Sequence, residues 1–472
     1  MSDDTATGTV LIGETDQGTA IRGSVVRLSR FQVLFETYSP AALVKTSQVI
    51  SEVKIMAENR TLYSGRAVVS HIANAGSVLL CEATLEEGWI DVDFFTALAD
   101  VSHLSEQFDH FIRGWQKTYK IAPEYKLIVA DMQTFLMELR GWLDQVELGV
   151  RSSPSGDRAE LERELLKAVA KPILPCIDTL FERFEAIAAT VDKELQPAHW
   201  NYMRRQLHSL VLCCPFAYRT FAKPLGYAGD YEMVNMIARD PLEGSTLFAK
   251  ILNLWFLEQV PARAHRNRIV YLKQKIFDEA LRVASQRRPT RIFNLGCGPA
   301  LEIQQFLAEH GRTHPLELTL VDFSDESLEH LRALLETINR QHNLTPAIRI
   351  QKRSVMQILK EAAHSVELPP DKRYDLIYCA GLFDYLPDLI CQRLSNIFYN
   401  WLAPGGLMLV TNVDPSNPMR YGMEHLLDWF LVYRSASQAR ALKPEKARLE
   451  DFAIIAENTG ANIFLEVRNN HA

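Results

Sequence analysis

Apolar and polar positions along this chain change their period twice. Across residues 8–84, β-branched residues alternate with polar ones in short runs broken by turn residues, at 9–12, 21–28, 32–35, 49–55, 66–71 and 78–81. Short strands at that spacing predict a small antiparallel barrel. From about residue 91 the period becomes helical: Phe94, Phe95, Leu98 and Val101 recur at i, i+3/i+4, as do Phe108, Phe111, Ile112 and Trp115. A break at 152–157 separates two helical stretches, with Ser155 or Asp157 placed to cap the second. Helical pattern continues through 161–191 and 200–212, is interrupted at 223–230, and resumes as far as Gln286. From Arg291 onward strands and helices alternate, with strand candidates at 291–295, 317–322, 347–351, 374–379, 406–412 and 462–467. That alternation predicts a mostly parallel, doubly wound sheet with helices on both faces. The fold class is therefore α/β, in three parts: a barrel over 1–90, a helical domain over 91–285 and a doubly wound domain over 286–472.

Composition narrows the function classes. At 472 residues the chain has room for about three domains. Apolar residues at 47% and charged residues at 23% are ordinary globular values, so sizeable cores can be buried. A formal charge of −7 gives no support to a nucleic-acid partner, which normally needs a basic excess. The seven cysteines (Cys81, Cys176, Cys213, Cys214, Cys297, Cys379, Cys391) are scattered, without CxxC or His/Cys clusters, so neither a disulfide scaffold nor a metal site is expected. The first residues are acidic and polar, unlike a signal peptide, and no apolar run approaches the roughly 20 residues that span a bilayer. A cytoplasmic protein without a transmembrane segment is the expectation.

The chemistry concentrates at 291–298, Arg-Ile-Phe-Asn-Leu-Gly-Cys-Gly, where an apolar strand runs into a glycine turn and then a helix. Asp322 closes the next apolar strand. A glycine turn with a carboxylate at the following strand end is how a doubly wound sheet holds a nucleoside, the acid taking the ribose hydroxyls. The register Gly296-x-Gly298-x-Ala300 does not fit the dinucleotide fingerprint GxGxxG. With Pro404-Gly405-Gly406 leading into a later strand, these motifs resemble the class I S-adenosylmethionine-dependent methyltransferases over roughly 285–470. The resemblance implies a Rossmann-like sheet and S-adenosyl-L-methionine as cofactor. It places Gly296, Cys297 and Gly298 under the methionine part, and Asp322, followed by Phe323, at the ribose. Asn294 stands where the family often has Asp, and an amide can still accept and donate hydrogen bonds. Ser354 or the Val355 backbone replaces the usual acid at the adenine amino group, and Cys379 ends the fourth strand beside the cofactor. Tyr227 and Gly229, in the loop 223–230, are read as a lid over it; a plain helix connection is the alternative.

The acceptor side has several candidates. Phe383 and Tyr385 follow the fourth strand, where open α/β sheets place their chemistry, although helix packing would also account for them. Asn412 begins an irregular loop after the fifth strand, and a helix over 421–434 carries Glu424, His425, Asp428, Trp429, Tyr433 and Arg434. Polar groups on an otherwise apolar helix need partners or a polar ligand. Phe383, Asn412, Asp428, Trp429, Tyr433 and Arg434 are read as acceptor-side residues, with His425, Glu424 and Tyr385 as catalytic candidates; a helix covering the sheet edge is the bland alternative. Arg263, His265, Arg266 and Arg268 either meet an anionic carboxylate or form a solvated helix face, the latter being expected.

The segment Lys223-Pro-Leu-Gly-Tyr-Ala-Gly-Asp, the sheet motifs, and Met423-Glu-His-Leu-Leu-Asp-Trp with Tyr433-Arg434 together resemble a bacterial family over about 200–470. It is the family of 3-hydroxypalmitic acid methyl ester biosynthesis. The resemblance implies carboxyl O-methylation of a hydroxylated fatty acid, giving a methyl ester used as a cell-density signal. A carboxylate is already deprotonated at neutral pH, so no general base is obligatory; for a hydroxyl or amine acceptor, His425 or Glu424 would serve as base. Methylation of another small metabolite or a protein carboxylate, or a non-catalytic regulatory protein that binds the cofactor, remain the alternatives. Residues 8–84 resemble a degenerate PilZ domain, the bacterial module that binds cyclic di-GMP. Arg22 and Arg27 are one residue too far apart for the RxxxR pair. Near Ser29, Arg27 and Gln32 stand where the second motif has its acid and glycine. Cyclic di-GMP binding is accordingly not expected, and a structural or dimerising barrel is. A homodimer through the barrel or the helical region is left open.

Overall fold

Alternating burial along the first strands curls them into a barrel. The computed structural model describes residues 9–15, 18, 20–29, 31–37, 44–57, 60–74, 79–86, 109, 112–113, 120–152, 157–364 and 368–470. The helical positions Phe94, Phe95, Leu98, Val101, Phe108, Phe111 and Trp115, the strand start at Val78 and the cap Ser155 lie outside them. Strands β1 (Val10–Glu14), β2 (Ala20–Leu28), β3 (Gln32–Thr37), β4 (Val49–Ala57), β5 (Arg60–Asn74) and β6 (Leu79–Leu85) form a closed barrel in the order β1-β2-β3-β6-β5-β4. All pairs are antiparallel and β1 bonds to both β2 and β4, so no edge stays open. Leu11, Ile21, Val33, Phe35, Ile55 and Ala67 fill the interior. At Gly23 a Cβ would stand 2.5 Å from the Glu36 carbonyl, which requires glycine there. Strand β5 is much longer than the expected 66–71, and a register shift between Val69 and His71 lets it bend with the barrel.

The chain divides into two compact units: Met1–Ala228 with Asp240–Leu257 and Pro418–Phe430, and Gly229–Arg239 with Glu258–Asn417 and Leu431–Ala472. Beside the barrel, the first holds α1 (Pro123–Ser152), α2 (Arg158–Ala188), α3 (Gln196–Val211) and α4 (Pro215–Ala222). Asp157 caps α2, its carboxylate accepting from the Glu160 N–H. In the second unit, α5 (Tyr231–Ala238) docks through Tyr231, whose hydroxyl donates to Glu326, and through Asn235, which meets His330 at 3.0 Å. Helix α6 (Leu247–Glu258) lies almost wholly in the first unit, and the long α7 (Val260–Ala284) opens the main run of the second.

There the expected alternation is realised: β7 (Thr290–Leu295), α8 (Leu301–His310), β8 (Leu316–Asp322), α9 (Asp325–His342), β9 (Ala347–Lys352), α10 (Val355–His364), β10 (Tyr374–Cys379), α11 (Asp388–Trp401) and β11 (Leu402–Val413). After β11 the chain enters the first unit as α12 (Arg420–Leu427), then re-enters the second with α13 (Ala436–Arg440), β12 (Phe452–Ala456) and β13 (Asn462–Arg468). The sheet order is β12-β13-β11-β10-β7-β8-β9, parallel from β11 to β9, with β13 antiparallel to β11 and to β12. The chain winds outward from β7 through β8 to β9, then returns to β10 on the other side of β7. That reversal puts a switch-point crevice between the carboxyl ends of β7 and β10. Leu272 and Ile276 of α7 and Ile303 and Phe306 of α8 cover the sheet around Leu318 and Leu320. Among the described residues no helix is long and apolar enough to cross a membrane.

Candidate active site

Strand β7 ends at Leu295, and the chain turns back through Gly296 (φ 68°), Gly298 (φ 50°) and Ala300 (φ 48°) into α8. The turn is fixed to the neighbouring strand. Gly296 and Cys297 N–H both donate to the Val321 carbonyl, at 2.8 and 3.1 Å. Gly298 N–H donates to Asp322 Oδ2 at 3.0 Å, while Asp322 Oδ1 accepts from Phe323 and Ser324 N–H at 2.8 and 3.0 Å. A Cβ on Gly298 would meet nothing within 4 Å, so that face of the turn opens onto free space. The end of β9 joins the group, since Arg353 N–H donates to the Asp322 carbonyl. Ser354 caps α10 by reciprocal bonds with Gln357, and its hydroxyl hydrogen is still able to donate. Val355 is the first, buried residue of α10. Cys297 and Cys379 are buried, and burial pushes both thiols well above the ordinary cysteine range, so neither is a ready nucleophile.

Behind the turn lies a polar cluster of which the sequence offered Asn294, His265 and Arg268 as candidates but not Glu302 or Tyr378. Asn294 is 2% exposed and its Oδ1 has no hydrogen-bond partner. Glu302, in the first turn of α8, accepts from the Tyr378 hydroxyl at 2.6 Å, and burial raises its pKa above the ordinary carboxylate value. Arg268 comes from α7 and is buried, correcting the expected solvated face. Its guanidinium lies against Gly381, whose φ is +89° and where a Cβ would stand 3.0 Å from Arg268 Nη1. The partner of Arg268 is His265, with Nε2 3.0 Å from Nη2. Burial and the charges of Arg268 and Arg266 hold His265 well below its ordinary pKa. The signal was present in the sequence: Ala264, Arg268 and Leu272 share one face of α7 at i, i+4 spacing, and that face is buried.

The same unit brings Gly229 to Tyr385. A Cβ at Gly229 would stand 2.5 Å from the Tyr385 hydroxyl oxygen, so the tip of that side chain comes up against the glycine. Asp230 then caps α5 by accepting from Met233 N–H. Tyr227 falls in the first unit.

Several expected acceptor-side residues have other roles. The helix expected over 421–434 stops at Leu427, because Asp428 takes a left-handed conformation (φ 55°) and ends it. Its four terminal carbonyls are all satisfied by cations or imidazole. Arg204 takes Glu424 and His425, His208 takes Leu426, and the buried Lys223 takes Leu427. Asp428 is ion-paired to Arg204 at 2.8 Å, and Trp429 is buried beside it in sequence. His425 is 0% exposed, bonded through Nδ1 to the Tyr125 hydroxyl at 2.8 Å and ringed by Phe184, Trp200 and Tyr421. Burial holds it neutral, with its pKa well below the ordinary value. Glu424 is buried and paired with Arg420 at 2.9 Å. Both belong to the packed interior of the first unit, whereas the sequence offered them as bases for a hydroxyl or amine acceptor.

In the second unit Phe383 is fully buried and works as core rather than pocket lining. Arg434 is enclosed too: Nη1 donates to the Phe383 carbonyl and Asn412 Oδ1, Nη2 to the Leu386 carbonyl, and Nε to Asp388. Asn412 Nδ2 donates to the Val413 and Val432 carbonyls. Arg434 and Asn412 thus tie the loop after β10 to the end of β11, leaving neither free for a ligand. Tyr433 is half-buried in the same unit.

The residues at the switch point fit a nucleoside carrying an amino-acid end: an open glycine face, a carboxylate at the next strand, and an unpartnered buried amide oxygen. Residues 293–408 match the family model described as a methyltransferase domain. No curated protein matches the chain. Similar solved structures include a possible exported protein from Bordetella parapertussis, 18% identical, over 54% of this chain and 86% of that one, with a TM-score of 0.39. The N-methyltransferase NodS from Bradyrhizobium japonicum, in complex with S-adenosyl-L-homocysteine, is 15% identical over 51% and 98%, at a TM-score of 0.29. Magnesium protoporphyrin IX methyltransferase from Synechocystis, with the same bound product, is 10% identical over 45% and 87%, at 0.30. The matched segment spans the glycine turn, Asp322 and β10, so residues 293–408 of this chain form a methyltransferase domain.

Proposed function

We propose that the enzyme methylates the carboxylate of a hydroxylated long-chain acid, giving a methyl ester that serves as a cell-density signal. One observation carries the carboxylate: the bases suggested by sequence are not available as bases. His425 and Glu424 are both enclosed in the first unit, His425 against Tyr125 and Glu424 paired with Arg420. An acceptor that is anionic at neutral pH needs none of them. The hydroxylated acyl chain rests on the resemblance of residues 200–470 to the fatty-acid methyl ester family. The cofactor supplies a methyl group on a positively charged sulfur. The chain's own residues then bind and orient: the turn at Gly296–Gly298 and Asp322 hold the nucleoside, and Ser354 or the Val355 backbone meets the base. Gly229 and Tyr385 help exclude water. Rate comes from alignment and desolvation rather than proton transfer. The barrel, read as PilZ-like, has a structural part. The departures from the nucleotide-binding pattern at Arg27 and Gln32 support a barrel that does not take cyclic di-GMP.

The test is to incubate the full chain with methyl-labelled cofactor and a panel of 3-hydroxy fatty acids, plain fatty acids, amines and protein acceptors. Label that alkali releases as methanol from a 3-hydroxy fatty acid product supports the reading. Alkali-stable label, or label confined to amines or protein, overturns it.

A further inference from the structure

Arg268 and Glu302 are a buried cation and a buried anion that do not pair. Neither forms an ion pair with the other or with any other described residue, yet each lies close enough to feel the other's charge. Leaving two such charges apart in an enclosed site costs several kcal/mol in general unless something bridges them. Three further facts say where the bridge goes. Arg268 lies against Gly381, at the carboxyl end of β10, where φ is +89° and a Cβ would stand 3.0 Å from Arg268 Nη1. Glu302 and Asn294 flank the turn at the carboxyl end of β7, the strand paired with β10. Asn294 offers an unpartnered acceptor, Oδ1, in the same enclosure.

The arrangement has the charge pattern of an α-amino acid zwitterion in reverse. We propose that Arg268 takes the carboxylate and Glu302 with Asn294 the ammonium of the cofactor's methionine end. Arg268 suits the first task because its planar fork can meet both carboxylate oxygens. Glu302 and Asn294 suit the second because an ammonium has three N–H donors and no acceptor, matching two acceptors that lack a cation. His265 is then a positioning residue, holding the Arg268 fork from behind. The cluster makes the site selective for a nucleoside thioether that keeps its amino-acid end. This inference rests on the cofactor assignment, and the experiment separates the two.

Calorimetry on the full chain uses S-adenosylhomocysteine, its decarboxylated analogue, and 5′-methylthioadenosine, which keeps the nucleoside and sulfur but lacks the amino-acid end. Wild type should bind S-adenosylhomocysteine about ten- to a hundredfold more tightly than the decarboxylated analogue. Arg268→Gln should lose that preference while binding 5′-methylthioadenosine as wild type does, and Arg268→Lys should recover part of it. Glu302→Gln should weaken S-adenosylhomocysteine and spare 5′-methylthioadenosine. Equal wild-type affinity for the intact and decarboxylated ligands overturns the clamp without any variant having to fold. So does an Arg268→Gln protein that weakens on all three ligands alike. Wild type that binds none of the three overturns the cofactor assignment itself, and the clamp with it.

Discussion

The backbone N–H of Gly298 and the carboxylate of Asp322 meet at 3.0 Å, joining the ends of β7 and β8. Asp322 therefore has two tasks: it braces the glycine turn from the side, and it fixes the start of the next loop through Phe323 and Ser324 N–H. A carboxylate can accept several hydrogen bonds at once, so bracing the turn and meeting a ribose hydroxyl are compatible tasks for one residue type.

Asp322→Ala removes both tasks at once. Loss of a hydrogen bond to a charged group costs about 1.5–3 kcal/mol, so affinity for S-adenosylhomocysteine should fall by at least tenfold in calorimetry. Unchanged affinity would take Asp322 out of the site.

His425 gives the opposite expectation, a structural effect without a chemical one. In His425→Phe the ring is replaced at similar size, but the Tyr125 hydroxyl is left without its partner inside an aromatic cluster. An unpaired buried hydroxyl costs about 1–3 kcal/mol, so the denaturation midpoint should drop. Below that midpoint kcat should stay near wild type, and the wild-type pH–rate profile should show no inflection near 6.5, the ordinary histidine value. A collapsed kcat with an unchanged midpoint would restore His425 as a base.

The sheet was legible because its strands are short apolar runs separated by amphipathic helices, and six of its seven strands were placed from that pattern. The missed one, β12, is only five residues long (Phe452–Ala456), too short a run to show a period, and it pairs only with β13 at the sheet edge. The glycine turn and Asp322 could be read because their conformation constrains residue type. What could not be read was which polar residues are enclosed. Arg434 and Asn412 look like ligand-binding groups in sequence, but Arg434 bonds to carbonyls and side chains 22 to 51 positions away, and Asn412 donates to the Val432 carbonyl, 20 positions on. Likewise His425 sits on a helix that packs with α2, α3 and α4, roughly 200 residues earlier in the chain, and no local pattern announces that return.

Arg434 provides a test of that enclosed network. Arg434→Ala leaves the Phe383 and Leu386 carbonyls and Asn412 Oδ1 without their donor in a buried region. Removing one partner from a buried charged network typically costs about 3–5 kcal/mol, and the urea midpoint should fall accordingly. Arg434→Lys should rescue little, because a single ammonium cannot reproduce a fork that bonds in three directions. Near-wild-type stability of the alanine variant would show that the loop after β10 is held by other contacts.

Glu185 should give the first unit a pH-dependent stability with a definite sign. Its carboxylate accepts from Tyr421 and Gly422 N–H at 3.0 and 2.6 Å. Burial raises its pKa from 4.5 to about 7; those two N–H groups and the Arg420 charge oppose the rise, and Glu424 adds to it. Between pH 4.5 and about 7 the folded protein keeps a proton that the unfolded chain has released. The favourable contribution is therefore complete below 4.5, declines as pH rises through the window, and is gone above about 7. Because Glu185 is only half-buried, its full shift is discounted to roughly 1–3 kcal/mol. Glu185→Gln cannot titrate, so urea denaturation of both proteins from pH 4.5 to 8 isolates the effect. The wild type should lose that much stability relative to the variant as pH rises, with the change centred between the two values. A difference that stays flat, or that moves in favour of the wild type with rising pH, would mean that Glu185 remains ionised throughout and that its two backbone bonds outweigh its burial.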